Sequence, residues 1–494
     1  MSEIKRLLNQ SSHYFIGQVV VMAAGFISFP ILTRIFSVSD YGILGLITIT
    51  ILIAIAIIKL GFPNSIVRFY AEFKSKNQFA NFYSTILLGG MGVSALISAL
   101  FVFTIQIVGG NFIGNNIVNL LSLASVLMFT GCSSDILTSF IRAEQRTKLY
   151  NLISILRRYG ALALGIFFVF YVFKDLFGFF LGQVISGIIV FSFLLYVSCK
   201  KQNINIRNFS SWIFKDSIKF GFPLIWAELG HLVLHYIDRY LIQLFLGSVS
   251  LGLYTAGYNL ATYVTEIIMY PVNYAMTPIY MDILVNKGEE ETKEFFTKSF
   301  RYFLLILSAI VFGFIAVGRD LISLLATKKY LEAYPILPYV IIGQSIYACT
   351  IILNNGLFIR RKTYIYTTVM LITCLLSIGI NMILIPRHGI IGAGMANLIS
   401  NIFYALVITY YAFKEFSFRI DYPRILLYLG IGGAMYLVMS AIDVGAPIYN
   451  LIAKISAGAV FYSGLVLILD KEVRTTVLRM IDRSGGKTPG LPLQ

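Results

Sequence analysis

The chain has 494 residues, of which 58% are hydrophobic and 13% are Asp, Glu, Lys or Arg, with a mean hydropathy of +0.81. A soluble domain carries roughly 25% charged residues, so too little polar surface remains here to cover a globule. The net charge of +16 would point to nucleic acid in a soluble protein, but the placement of the charges argues for a membrane instead.

Apolar runs fall near 14–35, 41–67, 82–108, 117–140, 150–173, 176–198 and 217–246. They continue at 251–280, 300–317, 336–358, 364–385, 390–413, 424–440 and 448–469. Each is about 20 residues or longer, enough to cross the hydrocarbon core as a helix. None alternates with period two, which excludes a β-barrel and leaves helices. The first run is too long for a cleavable signal peptide, and no small-residue cleavage site follows it. The sequence therefore predicts an all-α membrane protein of about fourteen transmembrane helices.

Sorting Lys and Arg by alternate connections puts thirty on one side and six on the other, with Lys59, Arg239 and Lys454 inside spans. The thirty include Lys5, Arg68, Arg157, Arg158, Lys200, Lys287, Arg361, Lys414 and the C-terminal tail. Such an asymmetry places the basic side, with both termini, in the cytoplasm. No nucleic-acid partner is needed to explain the charge; a membrane-lipid surface is. Cys132, Cys199, Cys349 and Cys374 form no CxxC pair or disulfide framework, so redox chemistry is not expected.

The chain reads as two similar halves. Residues 34–39 (RIFSVS) are echoed at 245–250 (FLGSVS), and Phe62-Pro63-Asn64 by Tyr270-Pro271-Val272-Asn273. Residues 145–150 (QRTKLY) resemble 361–366 (RKTYIY), and 178–186 (GFFLGQVIS) resemble 392–400 (GAGMANLIS). Four echoes in one order, at offsets of 208 to 216 residues, indicate a parallel repeat of six spans, with a central cavity between the halves. The expected organisation is a six-helix bundle over 1–200, a second over 201–415, two further helices over 416–470 and a tail over 471–494. Segments 202–218 and 286–299 read as interfacial helices or linkers, and 484–494 as a polar stretch without regular structure.

Intramembrane ionisable residues are costly and mark candidate sites. Span seven carries Glu228, His231, His235, Asp238 and Arg239 within an arc of roughly 100°. Three explanations are open: a cluster that locks the helix to its neighbours, a metal site built on the Glu-x-x-His and His-x-x-x-His spacings, or the lining of a substrate or coupling-ion cavity. Span eight presents Thr255, Asn259, Thr262, Tyr263, Glu266, Tyr270 and Asn273 on one face. That face suits a sugar, through stacking and paired hydrogen bonds, or interhelical hydrogen bonding in a packed bundle. Lys59 lies before Gly61 and Pro63, where span two can break. Arg34 and Arg68 sit at span ends, where snorkelling is the alternative to a substrate role. Asp135 and Lys454 read as isolated, without a role.

The run Phe36-Ser-Val-Ser-Asp-Tyr41-Gly42, then Leu60-Gly61, Arg68-Phe69 and residues 141–146 (IRAEQR) resembles the signature of the polysaccharide-transport, or Wzx-type, flippases. These belong to the multidrug/oligosaccharidyl-lipid/polysaccharide exporter superfamily, and the resemblance covers essentially the whole chain. It implies a V-shaped pair of six-helix bundles around a largely cationic cavity, in the inner membrane of a bacterium. It implies a transporter and not an enzyme: undecaprenyl-diphosphate-linked oligosaccharide moves to the outer leaflet by alternating access, for surface polysaccharides such as O-antigen. Polysaccharide polymerase and other assembly proteins are the implied partners.

Carried onto this chain, the family's cavity cations become Arg34, Lys59 and Arg239, the diphosphate path. Span eight supplies Glu266 where the family places a cation. His231, His235, Asn259, Tyr263 and Tyr270 are the candidate polar lining, and Glu228, Asp238 and Glu266 the candidates for coupling to H⁺ or Na⁺. No metal or organic cofactor is expected. Two other readings stay open: a MATE-like drug/cation antiporter of the same superfamily, and a membrane polysaccharide polymerase or glycosyltransferase.

Overall fold

The computed structural model describes residues 2–109, 115–201, 204–475 and 478; most of the tail, including 484–494, lies outside them. The described residues are helical with short turns. The first half contains α1 (Ser2–Ile35), α2 (Val38–Ile58), α3 (Phe62–Ser75), α4 (Phe79–Thr104), α5 (Asn115–Ala143), α6 (Thr147–Tyr171) and α7 (Leu176–Lys201). The rest contains α8 (Ser211–Asn286), α9 (Glu289–Leu321), α10 (Leu337–Leu353), α11 (Asn355–Ile359), α12 (Thr363–Glu415), α13 (Tyr422–Ser440) and α14 (Pro447–Leu469).

Twelve of these segments are long and apolar enough to cross a membrane. Two of them cross twice. A straight helix of 76 residues, the length of α8, would extend about 114 Å, nearly four times the hydrocarbon thickness. Gly247 reverses it, with φ 81° and ψ −178°, a conformation open to glycine and strained for side-chain-bearing residues. Gly389 breaks the 53-residue α12 in the same way, with φ 60°. Fourteen candidate crossings result among the described residues, in line with the about fourteen expected from the sequence. Their outer surface is apolar, with Leu100, Phe103, Phe170, Leu375, Leu406 and Val460 all exposed, as lipid demands.

The repeat is visible in the backbone. Gln145 and Arg361, aligned by the echoed motifs, both take φ 58°. Each turn is closed by the same bonds: Gln145 N–H to Arg142 O and Arg146 N–H to Ile141 O in one half, Arg361 N–H to Phe358 O and Lys362 N–H to Leu357 O in the other. The segments read as interfacial helices or linkers are largely helical. Residues 211–218 are already the first turns of α8, and 289–299 run straight into α9. Two residues separate α8 from α9, Lys287 and Gly288, the latter at φ 93°.

Helices α13 and α14 pack on α9 through Val317, Ile431, Met435, Met439, Tyr462 and Val466. Polar clasps hold both ends. At one, Asp320 accepts from Lys454 Nζ at 2.8 Å and from Asn450 at 3.1 Å, so Lys454 is not isolated. At the other, buried Arg301 binds Asp470 and Glu472, each at 2.6 Å, and the Tyr428 hydroxyl at 2.9 Å.

Candidate functional site

α2 runs along both arms of α8, and glycines set how closely it approaches. At one end, a methyl on Gly42 would sit 2.6 Å from both Gly252 N and Ser248 O, so backbone lies on backbone. At the basic face, Gly61 meets Gly221, and a methyl on Gly221 would sit 2.6 Å from the Gly61 carbonyl oxygen. The same seam holds the Lys59–Glu228 ion pair at 2.6 Å, a Ser65 hydroxyl donating to Ser217 O at 2.6 Å, and Thr50 bonded to Tyr240 at 2.8 Å.

Between these closures lies a cavity of about 330 Å³. Ser28 of α1, Tyr41 and Thr48 of α2, Arg158 of α6 and Gln183 of α7 form one wall. Tyr236, Arg239, Thr255, Asn259, Thr262, Tyr263 and Glu266 of α8 form the other. The space equals roughly a dozen water volumes at about 30 Å³ each. Asn259 donates to the Tyr41 hydroxyl at 3.2 Å, bridging the halves.

Arg239 is 1% exposed. Its Nη1 donates to Asp238 Oδ1 at 3.1 Å and to His235 O at 2.9 Å. Its guanidinium lies 4.1 Å from the Tyr258 ring centre and 4.9 Å from that of Tyr236, cation–π contacts that offset part of the desolvation cost. Nε and Nη2 have no partner among the described residues. Buried donors are normally satisfied; these two belong to a side chain that lines the cavity.

Comparison with known proteins bears directly on this arrangement. The sequence profile of the polysaccharide biosynthesis protein family matches residues 7–284. The chain belongs to that family. No curated protein sequence matches it. Among solved structures it is similar to the lipid II flippase MurJ in an inward closed conformation: TM-score 0.73 at 14% identity, over 93% of this chain and 99% of that one. It is also similar to an inward-facing MATE transporter of the MOP superfamily (0.57, 15%, 85% and 94%) and to a MATE transporter from Vibrio cholerae (0.59, 15%, 83% and 96%). At these identities the likeness establishes the fold, that of MOP-superfamily transporters.

In this member of the polysaccharide biosynthesis family the residues singled out by sequence fall in five places. Arg239, Asn259, Tyr263 and Glu266 line the central cavity. Among the described residues, Glu266 has neither a hydrogen bond nor an ion pair. Lys59 and Glu228 are paired in the seam below. His231 and His235 pack with tilted rings, centres 4.5 Å apart, and turn toward Tyr347 of α10, away from the cavity; His235 also meets the Tyr258 hydroxyl at 3.4 Å. Buried Asp238 is engaged by Arg239 and the Tyr254 hydroxyl. Arg34 lies apart: it is exposed and donates to the carbonyls of Leu324 and Leu325 at 2.7 and 2.8 Å, in the turn of π-helix that follows α9. The Tyr270 side chain is outside what the structure describes. No group of three potential metal ligands occurs among the described residues.

Arg157 and Arg158 were sorted into a basic connection. They stand ten and eleven residues into α6, about 15 Å along the helix from its start. Arg157 Nη1 binds Asp135 Oδ1 at 2.6 Å, so Asp135 is not isolated. Arg158 has no hydrogen-bond or ion-pair partner among the described residues and lines the central cavity. Depth within the apolar run was the signal that could have found it.

An apolar crevice of about 250 Å³ runs between α1 and the second arm of α8. It is lined by Val19, Met22, Ala23, Phe26 and Ile267, and shares Tyr263 and Glu266 with the central cavity.

Proposed function

We propose that this protein is a flippase for polyprenyl-diphosphate-linked oligosaccharide, working by ion-coupled alternating access in the inner membrane of a bacterium and serving surface polysaccharide synthesis. The observation that carries the reading is the junction at Tyr263 and Glu266 between a polar interior cavity and an apolar lateral crevice. A substrate with a lipid tail and a hydrophilic head needs both at once.

Each unpaired hydroxyl taken into hydrocarbon costs several kcal/mol. A cavity of hydroxyl, amide and tyrosine groups removes that cost for the glycan, while the tail stays in the crevice or in lipid. Nε and Nη2 of Arg239 are closed off in this state and have no partner among the described residues; in a state that opens the cavity they suit phosphate oxygens. Lys59 joins that path when its pair with Glu228 opens. Moving an anion outward from a negative interior gains about 2.3 kcal/mol per charge per 100 mV. For the return step, Glu266 is the favoured site of H⁺ or Na⁺ uptake, because Glu228 and Asp238 already have partners.

The test is complementation of a strain lacking its own flippase. Wild type should restore surface glycan; Lys59→Ala and Arg239→Ala should fail at normal membrane levels. Failure of wild type, together with efflux of a lipophilic cation, would favour an antiporter of the same superfamily, a reading to which an unpaired carboxylate in the cavity lends support.

A further inference from the structure

α9 joins α10 through irregular backbone: a π-helical turn over Ile322–Ala326, then Thr327, then a 3-10 helix over Lys328–Ile336. Short π turns are rare and frequently mark functional positions. This segment belongs to the second half. It meets the turn between α1 and α2 of the first half on the outer face, opposite the basic one.

The two sides exchange cations there. Arg34 of α1 donates to Leu324 O at 2.7 Å and to Leu325 O at 2.8 Å. Lys329 donates in the other direction, to Phe36 O at 2.6 Å. All three acceptors are backbone carbonyls at or just past a helix C-terminus, where the dipole favours a cation. Behind them, fully buried Tyr330 meets Tyr41 edge-on, with ring centres 5.9 Å apart.

Thr327 lies midway between Leu325 and Lys329, with φ 76° and ψ 165°. That region is essentially reserved for glycine, and a β-branched residue held in it is strained. The Thr327 hydroxyl is buried without a partner among the described residues, so no local hydrogen bond accounts for the conformation. Strain of this kind persists only where the surroundings over-determine it. Here Arg34 and Lys329 pin the chain on either side of Thr327.

Building on the alternating-access part of the flippase reading, we propose that segment 322–336 is the moving part of the outer gate. Arg34 and Lys329 latch it shut, and the strain at Thr327 favours opening once they let go. Both cations are positioning residues, acting on the gate and not on the cargo. The closed gate sets a few cation–carbonyl bonds against one strained residue, so removing either side of that balance shifts it.

The test uses the full-length protein in membrane vesicles, with Cys132, Cys199, Cys349 and Cys374 replaced and Thr48→Cys added on the cavity wall. A membrane-impermeant maleimide is applied from the outer face and the labelling rate is read. Arg34→Gln and Lys329→Gln should each raise the rate by about fivefold or more, because each removes a charged hydrogen bond from the closed gate. Thr327→Gly should lower it by about fivefold to a hundredfold, since glycine adopts this conformation without strain. Thr327→Ala loses the hydroxyl but keeps the strained backbone, and should label like wild type. Arg34→Gln combined with Thr327→Gly should return toward the wild-type rate, which a misfolded protein would not do. Wild-type rates for Arg34→Gln and Lys329→Gln would overturn the latch. A wild-type rate for Thr327→Gly, or equal slowing by Thr327→Ala, would overturn the strain argument. Labelling needs no substrate, so failure of the flippase assay leaves this inference standing, and equal rates in every variant overturn it without touching the flippase reading.

Discussion

Gly221→Ala adds one methyl group where two backbones meet. That methyl would lie 2.6 Å from Gly61 O and 2.7 Å from its carbonyl carbon, atoms that no rotamer change can move away. To reach ordinary contact near 3.4 Å, the turn between α2 and α3 and helix α8 must part by roughly 0.8 Å, in an interior packed as densely as a crystal. Overpacking of this kind costs about 1–3 kcal/mol, charged here only to the state in which the seam is closed. The population should move toward the state open on the basic face by roughly 5- to 150-fold. The assay is Thr48→Cys, on the cavity wall, in a background with Cys132, Cys199, Cys349 and Cys374 replaced. A membrane-impermeant maleimide is applied from the basic face. Labelling should speed up with Gly221→Ala and stay at the wild-type rate with Gly433→Ala, whose methyl meets nothing within 4 Å. Equal labelling rates in all three would refute the argument that this glycine contact holds the cavity shut.

Other expectations follow from the same geometry. Lys59→Glu and Glu228→Lys should each speed the same labelling, and the double exchange should slow it again, because the pair spans α2 and α8 at 2.6 Å; additive effects would contradict that. Glu228→Gln together with Glu266→Gln should change transport or its pH dependence, and an unchanged profile would remove both from ion coupling. Asp470→Asn should cost about 3–5 kcal/mol in detergent unfolding at pH 7, since it leaves buried Arg301 short of a counter-charge. Burial opposes ionisation of Asp470, but hydrogen bonds from Tyr428 and Arg301 outweigh it and hold its pKa below the usual carboxylate value. The stability it contributes is therefore present above about pH 3.9 and lost as pH falls through the lower folded value. Between pH 5 and 8 the gap between wild type and Asp470→Asn should stay constant; a gap that closes near pH 6 would contradict the assignment.

The crossing number, the helical class and the repeat were legible because each rests on local pattern. Apolar run length gives the spans, and the echo between 145–150 and 361–366 marks turns that share one backbone geometry at Gln145 and Arg361. The polar face of span eight was also readable, since Thr255, Asn259, Thr262, Tyr263 and Glu266 recur at helical spacing and all line one cavity. Span seven was harder. Its ionisable stripe looked continuous, yet Glu228 meets α2, His235 meets α10 and Arg239 meets the cavity; those partners lie far off in sequence. Arg34 shows the same limit: its carbonyl partners are 290 and 291 residues away. Arg158 was missed for another reason. The apolar run 150–173 already encloses it, yet the sorting of cations by connection counted it with the basic stretch that precedes that run.

Translocation itself is the most direct test. Purified protein in liposomes, supplied with polyprenyl-diphosphate oligosaccharide, should transfer headgroups to the opposite leaflet, as read by a membrane-impermeant glycan-modifying reagent. Arg239→Ala should slow transfer at least tenfold. Headgroups that stay in place with wild type, under an imposed proton or sodium gradient, would contradict the account.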